Sequence, residues 1–164
     1  MRKTTRYKVE GTNSLWQIYR TVSFLKVMKN FTVIKISQYT PFLSVKNWLY
    51  RTFLGMKIGK QSAFALMVMP DTMFPEKITV GHNTIIGYNT TILAHEYLID
   101  EYRLGEVIIG NNVLIGANTT ILPGITIGDH AIVSAATLVN KDVPRGSFVG
   151  GNPMQIIRNE NETV

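Results

Sequence analysis

Histidine is the side chain in this sequence best suited to proton transfer near neutral pH, because its unperturbed pKa lies close to that range. The 164 residues contain three histidines, at His82, His95 and His130. His82 and His130 follow a small or turn-forming residue, which is typical of a surface corner. His95 is followed by Glu96 and begins a segment rich in charged and aromatic side chains. We predict that His95 is a general base, with a loop-anchoring hydrogen bond as the alternative role.

The other residue types point away from several kinds of site. Cysteine is absent, which removes disulfides and thiolate chemistry. The histidines are separated by 13 and 35 residues, so the sequence offers no close pair of metal ligands and we expect no metal. Neither a phosphate-binding glycine loop nor a nucleophile-elbow serine motif is present.

A repeat of six residues supplies the elements that would position His95. Branched aliphatic residues recur at every sixth position in two runs: Val80, Ile86 and Ile92, and then Ile109, Ile115, Ile121, Ile127, Val133 and Val139. A period of six fits neither an α-helix nor a half-buried strand, but it fits a short strand followed by a corner. The pattern predicts a mainly β chain that forms a parallel β-helix of stacked coils.

The register of the repeat is broken between the two runs. Ile92 and Ile109 are 17 residues apart rather than 18, and the intervening residues 95–106 are charged and aromatic. We predict that residues 95–106 form a loop leaving the coil, because long excursions from a compact repeat often carry function. Upstream, we expect Val68 and Phe74 to keep the six-residue step, while Pro70 and Pro75 indicate irregular corners or a small insertion there.

The N-terminal third of the chain has a different composition. Residues 1–60 contain 12 basic residues and one acidic residue, whereas residues 61–164 contain 5 basic and 10 acidic residues. We predict a basic amphipathic helical arm over residues 1–54 and a β-helix domain with a C-terminal tail over residues 55–164.

Local signals divide this arm. Ser14 followed by Gln17 resembles a capping box at the start of a helix. Residues 31–36 are rich in β-branched side chains and are interpreted as a short strand or a loop. Thr40 followed by Pro41 predicts the start of a second helix, which Gly55 would end.

Two hypotheses remain open for the role of the arm. Its helices would pack on the end of the solenoid or on a neighbouring subunit, because a solenoid needs a cap at each end. Alternatively, the basic arm would contact an anionic membrane surface. No secretion signal is recognised, so we expect a cytoplasmic protein, peripheral at the inner face of the membrane under the second hypothesis. We expect no nucleic-acid partner, since no recognised motif accompanies the charge.

Several segments resemble the hexapeptide-repeat acyltransferases, and within them the galactoside, maltose and xenobiotic acetyltransferase branch. They are Ile-Gly-Asn-Asn-Val-Leu-Ile-Gly-Ala-Asn (109–118), Ile-Leu-Pro-Gly-Ile-Thr-Ile-Gly-Asp (121–129), Leu-Val-Asn-Lys-Asp-Val-Pro (138–144) and Gly-Gly-Asn-Pro (150–153). The resemblance extends over about residues 55–158. It implies a left-handed β-helix, a homotrimer with active sites between subunits, acetyl-CoA as donor, and a histidine base at the position of His95.

The resemblance also implies contacts with coenzyme A. Ala117 and Ala135 would offer backbone groups to the pantetheine arm. Asn140 and Lys141 would lie near the nucleotide, and Arg158 corresponds to a basic position in the tail. Two departures from the family pattern concern this site: Gln155 replaces a second basic residue, and Leu114 replaces a tryptophan.

These observations predict an acetyl-CoA-dependent O-acetyltransferase acting on a hydroxyl of a sugar or glycan. The acceptor site is predicted to contain Asp71, Glu96, Tyr97, Asp100, Glu101 and Tyr102. Two alternatives are a γ-type carbonic anhydrase of the same fold, with metal-binding histidines across subunits, and a non-catalytic solenoid that binds a partner.

Overall fold

The computed structural model describes residues 2–159, which form short strands wound into a solenoid with helices at one end. The helices are a 3₁₀ helix Ser14–Gln17, α1 Ile18–Thr21, α2 Phe24–Tyr39, α3 Leu43–Leu54 and a 3₁₀ helix Pro75–Lys77. The first nine strands are β1 Thr5–Lys8, β2 Lys57–Ile58, β3 Ala63–Phe64, β4 Met69–Pro70, β5 Ile78–Val80, β6 Ile85–Ile86, β7 Thr91–Ile92, β8 His95–Tyr97 and β9 Glu101–Leu104. The remaining strands are β10 Val107–Ile109, β11 Leu114–Ile115, β12 Thr120–Ile121, β13 Thr126–Ile127, β14 Ile132–Val133, β15 Leu138–Val139, β16 Phe148–Gly150 and β17 Gln155–Arg158.

Three sheets form the walls of the solenoid. Their strand orders are β13-β10-β5-β2, β17-β16-β14-β11-β6-β3 and β15-β12-β7-β4, and all pairs are parallel except β16 with β17. The anchors of the six-residue repeat stack from coil to coil. For example, Val80 pairs with Ile109, and Ile109 pairs with Ile127. All nine anchors are buried. The predicted parallel β-helix is confirmed.

The polar residues between the anchors lie at the corners of the coils. Asn83, Asn89, Asn112 and Asn118 have φ between 51° and 57°, and His130 has φ of 60°. Asparagine tolerates this left-handed conformation better than most residues. His130 therefore occupies a corner, as the sequence indicated.

The first coil departs from the predicted register. Phe64 and Pro70 point into the core as anchors, and Pro70 pairs with Ile92. Val68 is buried four residues after Phe64, as Val113 is four residues after Ile109, so it lies between anchors rather than at one. The prediction that Val68 and Phe74 are anchors was wrong, whereas the insertion that Pro70 and Pro75 indicated is present as residues 71–77, and the register resumes at Val80.

The predicted loop 95–106 is largely a β-hairpin. Strands β8 and β9 pair in antiparallel fashion, and β1 adds a third strand on the other side of β9. The first residues of the arm thus form a strand, which the helical prediction for this region did not include. This three-stranded sheet holds the N-terminus against the hairpin.

The helices of the arm differ from the prediction in their boundaries. Residues 31–36 lie within α2, so the expectation of a strand or loop there was wrong. The N-cap side chain of the first 3₁₀ helix is Asn13, whereas the Ser14 hydroxyl donates to Leu98 O, so no capping box forms. Helix α3 is preceded by Phe42 rather than Thr40, and it ends, as predicted, at Gly55 with φ of 69°.

Helix α3 caps the first coil through polar side chains. Some strand N–H groups of a coil bond to carbonyls of the next coil, as Ala63 N does with Thr84 O. The carbonyls of the first coil that point the other way have no preceding coil to supply donors. Arg51 donates to Ile58 O and Gly59 O, Asn47 donates to Ser62 O, and Lys46 donates to Phe64 O and Ala65 O. The expected packing of the arm on the solenoid end is observed.

Candidate active site

His95 and Asp71 form a close pair at the base of the hairpin. His95 is the first residue of β8, and Asp71 follows β4 at the start of the insertion. The Nδ1 atom of His95 lies 2.6 Å from Oδ2 of Asp71. The Asp71 side chain is 0% exposed and that of His95 is 14% exposed, so the imidazole covers the carboxylate.

The Asp71 carboxylate is fixed by backbone groups. Its Oδ1 accepts hydrogen bonds from the N–H groups of Met73 and Phe74, and its Oδ2 accepts from those of Ala94 and His95. Burial raises the pKa of Asp71, but His95 and these N–H groups outweigh burial and lower it below 3.8. An ionised Asp71 accepts the proton on Nδ1, which leaves the lone pair of His95 on Nε2. No hydrogen bond to Nε2 forms within residues 2–159.

Aromatic rings surround the imidazole. The ring centroids of Phe74 and Tyr97 lie 6.0 Å and 5.2 Å from that of His95. Tyr102 follows at 5.8 Å from Tyr97, and Tyr7 of β1 stacks on Tyr102 at 4.7 Å. The strand register puts His95, Tyr97, Tyr102 and Tyr7 on the same face of the three-stranded sheet.

The opposite face of this sheet is charged. Arg2 forms an ion pair with Glu96 at 2.7 Å, and Arg103 forms one with Glu101. Glu96 therefore does not steer the imidazole, a role that Asp71 fills. Asp100 is exposed at the tip of the hairpin. Of the predicted acceptor residues, only Tyr97 and Tyr102 share the face of His95.

Asp71 differs from its predicted place. The sequence put it in the acceptor site, but a side chain with no exposed surface and four backbone donors has no free atom for an acceptor. Its contact with His95 was missed. A signal was present, since Asp71 is the only acidic residue between Glu10 and Glu76. Tyr7 and Phe74 were also missed, and no sequence signal distinguished them.

The residues predicted to contact coenzyme A lie on the corners and at the far end of the solenoid. Ala117 follows β11, and Ala135 follows β14. The coils are closely packed here, because a Cβ added to Gly116 would lie only 2.4 Å from the backbone N of Ala135. Lys141 is exposed after β15, as is Arg158 in β17. Asn140 has a buried Oδ1 without a partner. Within residues 2–159, none of the five bonds to His95.

The other two histidines are separate from this pair. The Nδ1 atom of His82 accepts a hydrogen bond from Lys60 N, and His130 lies at its corner. Residues 2–159 contain no group of three side chains placed to hold a metal ion. Nothing in the geometry favours the carbonic anhydrase alternative.

Comparison with known proteins identifies relatives over most of the chain. Residues 106–141 match the family described as bacterial transferase hexapeptide (six repeats). A Bacillus subtilis (strain 168) protein named "Putative acetyltransferase YvoF" is 73% identical over 162 residues, which cover 99% of this chain and 94% of that protein.

Solved structures share the fold. A Vibrio cholerae O1 biovar eltor hexapeptide-repeat acetyltransferase complexed with acetyl-CoA has a TM-score of 0.69 and 22% identity, covering 93% of each chain. A galactoside acetyltransferase in complex with coenzyme A has a TM-score of 0.64 and 23% identity, covering 84% of this chain and 82% of that one. The expected left-handed β-helix is thereby confirmed. The chain belongs to the hexapeptide-repeat acetyltransferases.

Proposed function

We propose that this protein transfers the acetyl group of acetyl-CoA to a hydroxyl of a sugar or glycan, with His95 as the general base. The observation that carries the proposal is the 2.6 Å contact between His95 Nδ1 and the buried Asp71 carboxylate. It orients an imidazole whose Nε2 is unpaired in the described chain, which is the arrangement required of a general base.

The reaction follows from this geometry. Nε2 of His95 takes the proton of the acceptor hydroxyl as its oxygen attacks the thioester carbonyl of acetyl-CoA. A backbone N–H stabilises the negative charge on the resulting tetrahedral intermediate. The carbon–sulfur bond then breaks, and the imidazolium returns the proton to the leaving thiolate. The products are an acetyl ester and free coenzyme A, and no acyl-enzyme is formed.

The proposed donor site uses the C-terminal half of the solenoid. Structural neighbours were solved with acetyl-CoA or coenzyme A, which supports the choice of donor. Ala117 and Ala135 would bind the pantetheine arm, and Asn140 would lie near the nucleotide. Lys141 and Arg158 would offer positive charge to the phosphates.

The proposed acceptor site lies on the aromatic face of the hairpin. Tyr97 and Tyr102 are the predicted acceptor residues beside His95. We retain Glu96, Asp100 and Glu101 as proposed rim residues, with Glu96 and Glu101 acting through their ion pairs. Galactoside and maltose O-acetyltransferases among the neighbouring folds support a carbohydrate acceptor.

We further propose a homotrimer with the sites between subunits. The second sheet supports this assembly, because its outer face carries an apolar row at equivalent positions of successive strands. The row consists of Ala63, Ile85, Leu114, Ile132 and Phe148. Rows of this kind are common in subunit interfaces.

The test is a screen of sugars, glycans and amines for release of free coenzyme A from acetyl-CoA. We expect a hydroxylated sugar to be acetylated, and His95→Ala to lower kcat by about 100-fold or more, since general base catalysis supplies factors of this order. His130→Ala is the matched control and should retain the wild-type rate. Wild-type turnover by His95→Ala would overturn the mechanism, and turnover of amines alone would overturn the acceptor class.

A further inference from the structure

The helical arm, residues 14–54, exposes its apolar side chains to solvent. In most helices that pack on a core, the apolar face is turned inward. Here the inward positions include polar residues such as Asn30, Gln38, Lys46 and Asn47, which are buried. The large apolar side chains of the arm that are exposed are Leu15, Trp16, Tyr19, Phe24, Leu25, Met28, Phe31, Ile36, Tyr39, Phe42, Leu43, Val45, Trp48 and Phe53.

Fourteen large apolar side chains are thus exposed on one helical arm, a concentration that is unusual on a surface without a partner. Contiguous apolar patches of more than a few hundred Å² mark sites of interaction with proteins or membranes. Trp16 and Leu25 illustrate the point, since they are 81% and 78% exposed. The polar face of the arm is already used to cap the solenoid, so the apolar face is the one left for a partner.

The charge around this surface is mostly basic, with Glu10 beside Trp16 and Glu76 paired with Lys26 as acidic exceptions. Residues 11–70 contain eight basic residues and no aspartate or glutamate. Lys46 is buried and Lys26 forms an ion pair with Glu76, but Arg20, Lys35 and Lys60 are exposed. The partner of the arm must therefore combine an apolar interior with a negatively charged surface.

We propose that the outer face of the helical arm docks on the surface of a bilayer that contains anionic lipids. Aromatic and aliphatic side chains would enter the boundary between headgroups and acyl chains, with Trp16, Tyr19 and Trp48 at the depth that such residues prefer. The exposed basic side chains would contact the lipid phosphates. No helix in residues 2–159 is long and apolar enough to cross a membrane, so the arm lies on the bilayer.

Charge argues against a contact between the arms of two copies of the chain. Two copies meeting through this face would bring basic residues against basic residues, with no acidic residue in the arm to pair with them. An anionic bilayer complements both the charge and the apolar centre. Nucleic acid would match the charge but leave the apolar side chains exposed.

Docking would bring the candidate active site to the membrane. The hydroxyl of Thr21 in α1 lies 2.5 Å from that of Tyr97, whose ring packs against His95. An acceptor carried on a lipid would thus reach His95 beside the bilayer. This consequence rests on the proposed function, whereas the docking itself does not.

The experiment measures flotation of the full-length protein with vesicles of phosphatidylcholine, alone or mixed with phosphatidylglycerol. We expect binding to the mixed vesicles, weaker binding at high salt, and little binding to phosphatidylcholine alone. Replacing two apolar side chains, in Trp16→Ser with Leu25→Ser, should lower the vesicle affinity at least about tenfold, because each inserted side chain contributes to binding.

The matched control is Leu66→Ser with Tyr88→Ser. These residues are 44% and 52% exposed on the solenoid, outside the arm, and their replacement should leave vesicle binding unchanged. Circular dichroism and light scattering would show that each variant is folded and report its oligomeric state. Three results would overturn the proposal: no binding of the wild type to mixed vesicles, equal binding of the arm variant, or dissociation of an oligomer by the arm variant without any vesicle binding.

Discussion

At the scale of single residues, the site depends on a contact that the sequence could not show. His95 is visible because it stands where the six-residue register breaks. Its partner Asp71 is 24 residues away, and only the insertion after β4 brings the two together. Tyr7 is farther still from Tyr102 along the chain and reaches it through the pairing of β1 with β9. Local spacing identified the candidate base but not the groups that orient it.

Asp71→Asn tests the orienting role. The amide can donate a hydrogen bond to Nδ1 and favour the wrong tautomer of His95, so we expect kcat to fall about 100-fold or more. KM for acetyl-CoA should remain near the wild-type value, because Asp71 has no exposed atom to contact the donor. Steady-state kinetics provide both quantities. The control is Glu106→Gln, which removes an exposed carboxylate at the end of residues 95–106 and should remain active. An unchanged kcat in Asp71→Asn would exclude the role.

Asp71→Asn should also change how the free energy of unfolding depends on pH. The pKa of Asp71 is lowered from 3.8, so ionised Asp71 stabilises the folded state above pH 3.8, and this contribution is lost as the pH falls through the lowered pKa. The difference in unfolding free energy between the wild type and Asp71→Asn should therefore be largest at neutral pH and decrease on acidification. Urea unfolding at several pH values measures it. A difference independent of pH would contradict an ionised Asp71.

At the scale of elements, the sequence predicted helices in the arm but not which of their residues are buried. Apolar residues of an amphipathic helix ordinarily mark its buried face, yet Leu15, Tyr19 and Leu25 of the predicted helical arm are exposed. The physical reason is the end of the β-helix, where first-coil carbonyls need donors rather than apolar contacts. Buried polar side chains satisfy them, so α3 turns Lys46 and Asn47 inward together with Tyr50 and Leu54.

Asn47→Ala tests this cap. The Nδ2 group of Asn47 donates to Ser62 O at 2.7 Å in a buried position, and its loss leaves that carbonyl without the donor. We expect the free energy of unfolding to decrease by about 1–3 kcal/mol. Urea denaturation provides the measurement. Ser44→Ala, on the exposed side of the same helix, should change it by less than about 0.5 kcal/mol. Equal effects of the two variants would argue against a capping role.

At the scale of the whole molecule, the repeat carried the prediction of the fold, because each anchor meets its equivalents in neighbouring coils. Val80, Ile109 and Ile127 stack in register as the spacing of the sequence required. The insertion and the hairpin lie outside the repeat. Their contacts join residues that are distant in the sequence, so no periodicity of the sequence predicts them. The proposed trimer involves contacts between chains, which the six-residue repeat does not predict. The outer apolar row of the second sheet makes the trimer testable.

Leu114 lies at the centre of this row, between Ile85 and Ile132 on the flanking strands. A charge there would be buried without a partner in a trimer but solvated in a monomer, so Leu114→Glu should dissociate the assembly. Light scattering on a size-exclusion column should report a trimer for the wild type and a monomer for Leu114→Glu. Thr79→Glu, on the outer face of the first sheet, is the control and should remain trimeric. Acetyl transfer should be lost together with the trimer, because a site between subunits requires both of them. A monomeric wild type with full activity would instead place the complete site within one chain.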